Sequence, residues 1–257
     1  MLLEDRLMDS KVSIVTPLYN LENYIAECIE SVIAQTYNDF EMIIVDDSSS
    51  DRGPEIAEMY VKKDHRIKLL RNSKNSGPAV TRNLGIKQAT GRYITFLDGD
   101  DIWYPQMLQK SIDTIREEKC GFVFASYRRY DENLEPLLSD FIVPERVTYS
   151  DILKSNSISC LTAFIDVGRL GKKYMPLIRK RQDMGLWLAY LKEIEYAIGI
   201  QEPLAIYRIR KGSLSRNKFS LLKYQWEFYT KFENLNFFQA SYYMAHWMFR
   251  GFVKYRS

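Results

Sequence analysis

Long hydrophobic runs are missing from this chain of 257 residues: nowhere do about 18 apolar residues follow one another, so no segment reads as a membrane-spanning helix. The first residues, MLLEDRLMDSK, mix acids with apolars and lack the basic start and apolar core of a secretory signal. The expected location is therefore the cytoplasm, with at most a peripheral contact on the cytoplasmic face of the membrane. Cysteine is scarce. Cys28, Cys120 and Cys160 lie far apart and form no CxxC pair, which argues against a disulfide framework or a zinc site and for a reducing compartment. The two histidines, His65 and His246, lack ligand spacing, and His65, after Asp64 in a polar stretch, reads as a surface residue. An excess of one charge is missing too: a net charge of +3 is too weak to make nucleic acid the main partner. Three nucleotide and hydrolase signatures are absent. Pro-Leu-Tyr-Asn, not GxGxxG, follows the first strand-like run, and neither GxxxxGK[ST] nor GxSxG occurs.

What is present is the composition of an ordinary globular protein, 46% apolar and 27% charged, long enough for one large α/β domain or a domain with an appendage. Val12 to Thr16, Glu41 to Val45, Ile67 to Leu70, Tyr93 to Leu97 and Phe122 to Ala125 are short apolar runs that predict strands. Between them, Ile25, Ile29, Val32 and Ile33 recur at helical spacing within Glu22 to Gln35. Further helices are predicted around Pro54 to Lys63, from Gly77-Pro78 to near Gly91, and around Gln106 to Glu118. This alternation predicts parallel pairing in an open sheet, in which ligands sit at the carboxyl ends of the strands. The polar clusters Thr16–Asn20, Asp46–Asp51 and Asp98–Asp101 fall at those ends. Beyond about residue 127 the pattern loosens, apart from a helix predicted over Gln182 to Ile194. There is no internal repeat or low-complexity segment.

Asp98-Gly99-Asp100-Asp101 packs three carboxylates directly after a buried run, where they repel one another. A divalent cation removes that repulsion, and carboxylate oxygens are hard ligands suited to Mg²⁺ or Mn²⁺ shared with substrate phosphates. Gly99 lets backbone approach a ligand closely, although Asp-Gly is also a common turn dipeptide. Asp46 and Asp47 end a neighbouring strand, where a carboxylate accepts hydrogen bonds from a nucleobase or ribose. Ser48–Asp51 reads equally as a helix cap. Arg82 and Asn83 stand in the first turns of the helix opened by Gly77-Pro78, a setting suited to a diphosphate or to a surface ion pair.

Five segments together, Ser13-Ile14-Val15-Thr16-Pro17-Leu18-Tyr19-Asn20, Gln35-Thr36-Tyr37 with Phe40-Glu41, Val45-Asp46-Asp47-Ser48-Ser49-Ser50-Asp51, Gly77-Pro78-Ala79-Val80-Thr81-Arg82-Asn83-Leu84-Gly85 and Phe96-Leu97-Asp98-Gly99-Asp100-Asp101, resemble family 2 glycosyltransferases over roughly the first 125 residues. The resemblance implies a GT-A fold: an α/β chain with a single Rossmann-like, mixed but mainly parallel sheet flanked by helices. It also implies inverting chemistry and a nucleotide-sugar donor, often UDP-linked. Carried over by position, Pro17 and Tyr19 border the base, Tyr19 stacking on it, and Asp47 bonds its edge with Asp46 beside it; Thr16 and Arg82 count among the donor-binding residues. Asp98 with Gly99 belongs to the ribose, and Asp100, helped by Asp101, to a Mn²⁺ or Mg²⁺ ion. The family's base, an acid before an apolar Leu-Trp stretch, corresponds to Asp183 in Arg181-Gln182-Asp183-Met184-Gly185-Leu186-Trp187, with Gln182 where the family usually has Glu. Tyr207-Arg208 and Ser213-Leu214-Ser215 resemble the segment that closes over the donor.

The resulting expectation is a catalytic domain over residues 1–218, with a donor-binding half at 11–125 and an acceptor and base half at 126–218. A helical extension at 219–257 follows. That extension is dense in aromatics with Lys223, Lys231, Arg250, Lys254 and Arg256, and reads equally as an interfacial anchor or as a surface packed on the domain or on a second copy. An anchor fits a saccharide acceptor carried on a lipid diphosphate, as in bacterial surface polysaccharide assembly of the O-antigen or capsule type. Two rivals remain: a sugar nucleotidyltransferase, which usually needs a Gly-rich basic loop where Pro17–Asn20 stands, and a nucleotide-binding module without a working base.

Overall fold

β-Branched and aromatic runs become strands where both faces of the sheet are covered, and the first half of the chain follows that rule. A computed structural model describes residues 10–210 and 218–254, so the Ser213-Leu214-Ser215 segment lies outside the described residues. β1 (Val12–Leu18), β2 (Phe40–Asp46), β3 (Ile67–Arg71) and β4 (Tyr93–Phe96) are mutually parallel. They are joined by α1 (Ile25–Ile33), α2 (Gly53–Val61) and α3 (Pro78–Gln88). β2 is buried along its whole length, as a strand covered on both faces must be. α1 turns Ile25, Ile29 and Val32 onto the sheet. In register, Thr16 faces Ile44 and Leu18 faces Asp46, so β1 and β2 deliver their polar ends to the same rim.

The second half is where the expected pattern ran thin. β5 (Ile102–Trp103), α4 (Met107–Glu117), β6 (Phe122–Tyr130), β7 (Pro136–Phe141), β8 (Arg146–Val147) and α5 (Tyr149–Lys154) come next. They are followed by β9 (Phe164–Asp166), α6 (Gln182–Leu191) and β10 (Ala197–Arg208). Among the described residues the sheet has ten strands, in the order β3-β2-β1-β4-β9-β6-β10-β5, with β7 on β6 and β8 on β10. β9 runs antiparallel to both β4 and β6, which makes the sheet mixed. Its three residues are too few to show a period. β10 slips register around Pro203, which hides its alternation in sequence.

α6 is fixed by Trp187, fully buried with its ring 5.8 Å from Phe96 and 5.4 Å from Phe122. That clamp sets where the first turn of α6 projects. The C-terminal segment forms α7 (Lys218–Glu227), a π-helical turn (Phe228–Phe232) and α8 (Phe237–Lys254). Phe228, Tyr229 and Ala240 belong to the same core cluster as Trp187, so one side of this segment is packed into the body. The other side of α8 exposes Phe237, Phe238, Tyr242, Met248 and Phe249. No helix among the described residues is long and apolar enough to cross a membrane.

A buried acid pins the amino-terminal edge of the sheet. Glu41, 1% exposed, accepts hydrogen bonds from Ser13 Oγ (2.7 Å), Lys68 Nζ (2.8 Å), and the Thr90 amide and hydroxyl (2.7 Å each). Burial pushes its pKa up, but these donors outweigh it and hold the carboxyl at about 2. The folded-state pKa is below the unfolded one, so the contribution is complete above about 4.5 and is lost as pH falls toward about 2. Glu41→Gln should therefore cost about 3 kcal/mol at neutral pH and flatten the acid limb of stability over that window. Urea unfolding at a series of pH values reads this directly; an unchanged acid limb would count against the network.

Candidate functional site

The rim formed by the ends of β1, β2 and β4 gathers most of the residues singled out in the sequence. After β1, Asn20 adopts φ 51° and closes the loop: its amide donates to Ser49 Oγ (3.1 Å) and its Oδ1 accepts from the Ser50 amide (2.9 Å). Pro17 is half-buried and Tyr19 is 49% exposed, an open ring face beside the rim. Thr16 is fully buried within β1.

Asp46 and Asp47 are both buried and both engaged. Asp46 Oδ1 accepts from the Ser49 amide at 3.0 Å. Asp47 Oδ1 accepts from Asn72 Nδ2 (2.7 Å) and the Ser76 amide (2.9 Å), and its Oδ2 accepts from the Gly77 amide (2.8 Å). Burial raises the Asp47 pKa, but these bonds outweigh it and hold the carboxyl below its ordinary value. Asp47 thus fastens the loop in which Gly77, at φ 83°, turns the chain into α3. Asn83 is spent in the same way, exchanging two 2.8 Å hydrogen bonds with the Met175 backbone. Asn72 carried no signal in the sequence, because it is a lone Asn after β3.

Beyond β4 the three acids separate. Asp98 Oδ1 accepts from Arg82 Nη2 at 2.5 Å. Gly99 sits in a close-packed turn: a Cβ there would lie 3.0 Å from Leu21 Cδ1 and 3.2 Å from the Pro17 carbonyl oxygen, so the neighbours would have to give. Asp100 Oδ2 pairs with Arg210 Nε at 2.7 Å, while Asp101, 2% exposed, accepts from the Arg208 amide at 2.9 Å. Arg208 also pairs with Glu27 and lies over the Tyr24 ring, 4.9 Å from its centroid. Burial, reinforced by Asp98, raises the Asp100 carboxyl despite Arg210, and burial raises Asp101 further. Arg210 was missed in the sequence; the alternate spacing of Arg208 and Arg210 at the end of a strand was its only signal.

Asp183 stands in the first turn of α6, after Arg181 in a left-handed conformation (φ 68°), and faces Asn156 Nδ2 at 3.3 Å. Arg82, Asp98, Asn156, Asp183, Tyr127 and Tyr207 wall one cavity of about 420 Å³. Asp98 and Asp183, far apart in the chain, therefore meet across one space, with the Arg82 guanidinium between their elements. Burial would lower the Arg82 pKa, but Asp98 and then Cys160 and Asp183 outweigh it and keep the group charged. Asp47 and Asp100 are not on the wall of this cavity. Asp47 is bonded to the Ser76 and Gly77 amides, and Asp100 is paired with Arg210.

Among the described residues no group of three or more His, Cys, Asp or Glu side chains is already arranged to hold a metal ion. The donor set still fits one. Asp98 and Asp100 keep 31% and 17% side-chain exposure, their oxygens are hard, and the raised Asp100 carboxyl marks negative charge that a cation would offset. Asp101 has one oxygen committed to the Arg208 amide.

Comparison with known proteins decides the family. The model of glycosyl transferase family 2 matches residues 13–163, more than half of the chain.

The chain belongs to glycosyltransferase family 2.

Relatives of this glycosyltransferase span nearly its whole length. It is 40% identical over 243 residues, 95% of this chain and 94% of the relative, to the Bacillus subtilis protein named "Putative teichuronic acid biosynthesis glycosyltransferase TuaG". It is 36% identical over 248 residues, 96% of each chain, to the Escherichia coli UDP-Glc:alpha-D-GlcNAc-diphosphoundecaprenol beta-1,3-glucosyltransferase WfgD. Among solved structures, S. aureus TarS 1–349 in complex with UDP-GlcNAc superimposes with a TM-score of 0.73 at 21% identity, covering 95% of the transferase and 73% of TarS. The mannosyltransferase PcManGT from Pyrobaculum calidifontis, in complex with GDP-Man and Mn2+, gives 0.69 at 17% identity, covering 91% of the transferase and 69% of PcManGT. These likenesses make the fold GT-A.

Proposed function

We propose that this glycosyltransferase moves a sugar from a UDP-sugar to a hydroxyl of a saccharide carried on a lipid diphosphate, with inversion, in bacterial polysaccharide synthesis. The observation that carries this reading is the cavity shared by Asp98, Arg82 and Asp183. A donor bound on the Asp98 side presents its anomeric carbon toward Asp183. Asp183 accepts the proton of the acceptor hydroxyl as that oxygen attacks from the face opposite the leaving diphosphate. Cys160, the thiol on the wall, is kept protonated by burial, against the pull of Arg82. With one base and no enzyme nucleophile, the displacement is single and inverts the anomeric centre.

Arg82, charged and aimed at Asp98, orients the donor and offsets charge on the leaving group. Tyr19 offers its exposed ring to the base. Asp98 and Asp100 are the residues that would hold Mn²⁺ or Mg²⁺. When bound, the ion supplies positive charge against the developing diphosphate. The lipid-diphosphate acceptor is supported by the WfgD relative, whose name states such an acceptor. The same reading lays the exposed aromatic side of α8 on the cytoplasmic face of the bilayer, as a peripheral contact.

Screening UDP-, GDP- and dTDP-sugars for slow hydrolysis with Mn²⁺ tests the donor side. The expected outcome is UDP release from one UDP-sugar, lost in EDTA and restored by excess Mn²⁺. Release of pyrophosphate from a nucleoside triphosphate and a sugar phosphate would instead favour a nucleotidyltransferase.

A further inference from the structure

The segment leading into α6 carries charge of one sign only. From Gly171 to Gln182 it carries Lys172, Lys173, Arg179, Lys180 and Arg181 and no acid. The first two are used by the fold: Lys172 Nζ donates to the Ala89 carbonyl (2.5 Å) and Lys173 pairs with Glu193 (2.6 Å). Arg179 and Lys180 make no ion pair among the described residues; their cationic heads lie 5.8 and 5.3 Å from the Tyr224 ring centroid. With Lys231 they line a recess of about 310 Å³ whose apolar wall is Ile178, Phe228 and Phe232. Its one acid, Glu227, is paired with Lys231 at 3.1 Å.

This recess neighbours the catalytic cavity through shared lining residues. Ile178 and Arg179 also border a second recess of about 410 Å³ whose wall includes Gln182, and Gln182 borders the cavity that contains Asp183. Gln182, Ile178 and Arg179 thus link the polar cavity to a recess that carries both a pair of cations and an apolar wall. Leu177, 73% exposed, lines the second recess, and Phe237, whose ring is 5.8 Å from Trp226 on α7, is exposed as well. These surfaces match the groups of a prenyl-diphosphate-linked saccharide: sugar, diphosphate and hydrocarbon.

We infer that the recess formed by Arg179, Lys180 and Lys231 over Ile178, Phe228 and Phe232 binds the diphosphate and first isoprene units of the lipid-linked acceptor, an inference that rests on the lipid-diphosphate reading above. Arg179 and Lys180 supply charge-assisted hydrogen bonds to the diphosphate, and the apolar wall takes the start of the chain. Three residues after Lys180, Asp183 then meets the sugar held by that anchor.

Binding is measured by isothermal titration of the full chain, with UDP and Mn²⁺ saturating so that the donor's own diphosphate site is filled. The probes are farnesyl diphosphate, inorganic pyrophosphate and farnesol. Farnesyl diphosphate should bind at least about tenfold more tightly than pyrophosphate, and farnesol should show no measurable binding. The double variant Arg179→Gln/Lys180→Gln, which changes partly exposed heads, should keep the wild-type melting temperature and weaken farnesyl diphosphate by about 10- to 100-fold. In the kinetic arm the acceptor sugar is presented either on a long-chain alkyl diphosphate or as the plain alkyl glycoside. The double variant should raise KM for the first by a similar factor and leave KM for the second within about twofold. Wild-type KM for the diphosphate acceptor in the double variant overturns the site but leaves the lipid-linked reading standing. A wild-type enzyme that hydrolyses its donor but transfers to no diphosphate-linked sugar removes both.

Discussion

Asp183→Asn should lower turnover by about 10²- to 10⁴-fold while leaving the affinity for UDP unchanged. The amide keeps the size of the side chain and its place beside Asn156, so α6 stays seated through Trp187. What is lost is the capacity to accept a proton at the mouth of the cavity shared with Asp98. Loss of an acid in the first turn of α6 costs stability as well, on the order of 0.5 kcal/mol. The defect should therefore sit in kcat, with a melting temperature close to that of the wild type. A variant that turns over normally would take the base role away from Asp183.

The second large effect is expected at Arg82. Its side chain is 11% exposed, reaches Asp98 at 2.5 Å, and is the cation opposite Asp98 in the cavity wall. Arg82→Met should destabilise the fold by about 3 kcal/mol, the lower end for breaking a buried pair, because water reaches part of Asp98. Donor affinity should fall with it. Arg82→Lys should not rescue, since an ammonium cannot reproduce the planar fork of the guanidinium. Adding Asp98→Asn to Arg82→Met removes the stranded charge and should recover most of the lost stability. Purely additive losses in that cycle would show that the two groups are not coupled. Thermal unfolding measures both variants.

Where the chain packs strands on both faces, its architecture was legible. Val12 to Thr16, Glu41 to Val45 and Tyr93 to Leu97 are too continuously apolar to be surface strands, and Ile25, Ile29 and Val32 name the buried side of α1. The boundaries moved by only a few residues in the structure. β9 and β10 were not legible. A three-residue antiparallel strand inserted between β4 and β6 leaves no period, and Glu202-Pro203 interrupts the alternation of β10.

The candidate site divides along the same line. The acids after β2 and β4 could be placed at the rim from the sequence, because a parallel sheet puts strand ends together. Their partners could not. Asn72 on Asp47, Arg210 on Asp100, the Arg208 amide on Asp101 and Asn156 beside Asp183 all come from elements distant in the chain. The reading of Asp47 at the edge of a base meets a carboxylate whose two oxygens already accept three hydrogen bonds from the protein. Asp183 was reached only through the family resemblance. Helical spacing identifies Leu186, Trp187 and Leu191 as core but says nothing about which strand end the first turn of α6 will face.

In the proposed mechanism Arg82 and Asp98 grip the donor and Asp183 deprotonates the acceptor within one cavity. Crystals grown with Mn²⁺ and a non-hydrolysable analogue of the UDP-sugar identified in the donor screen, measured at the manganese absorption edge, test it most directly. The expected result is an anomalous peak within ligation distance of Asp100, about 2–2.5 Å, and a sugar ring between Arg82–Asp98 and Asp183. Manganese and diphosphate seated away from the Asp98–Asp100 turn, or a sugar ring that does not face Asp183, would contradict it.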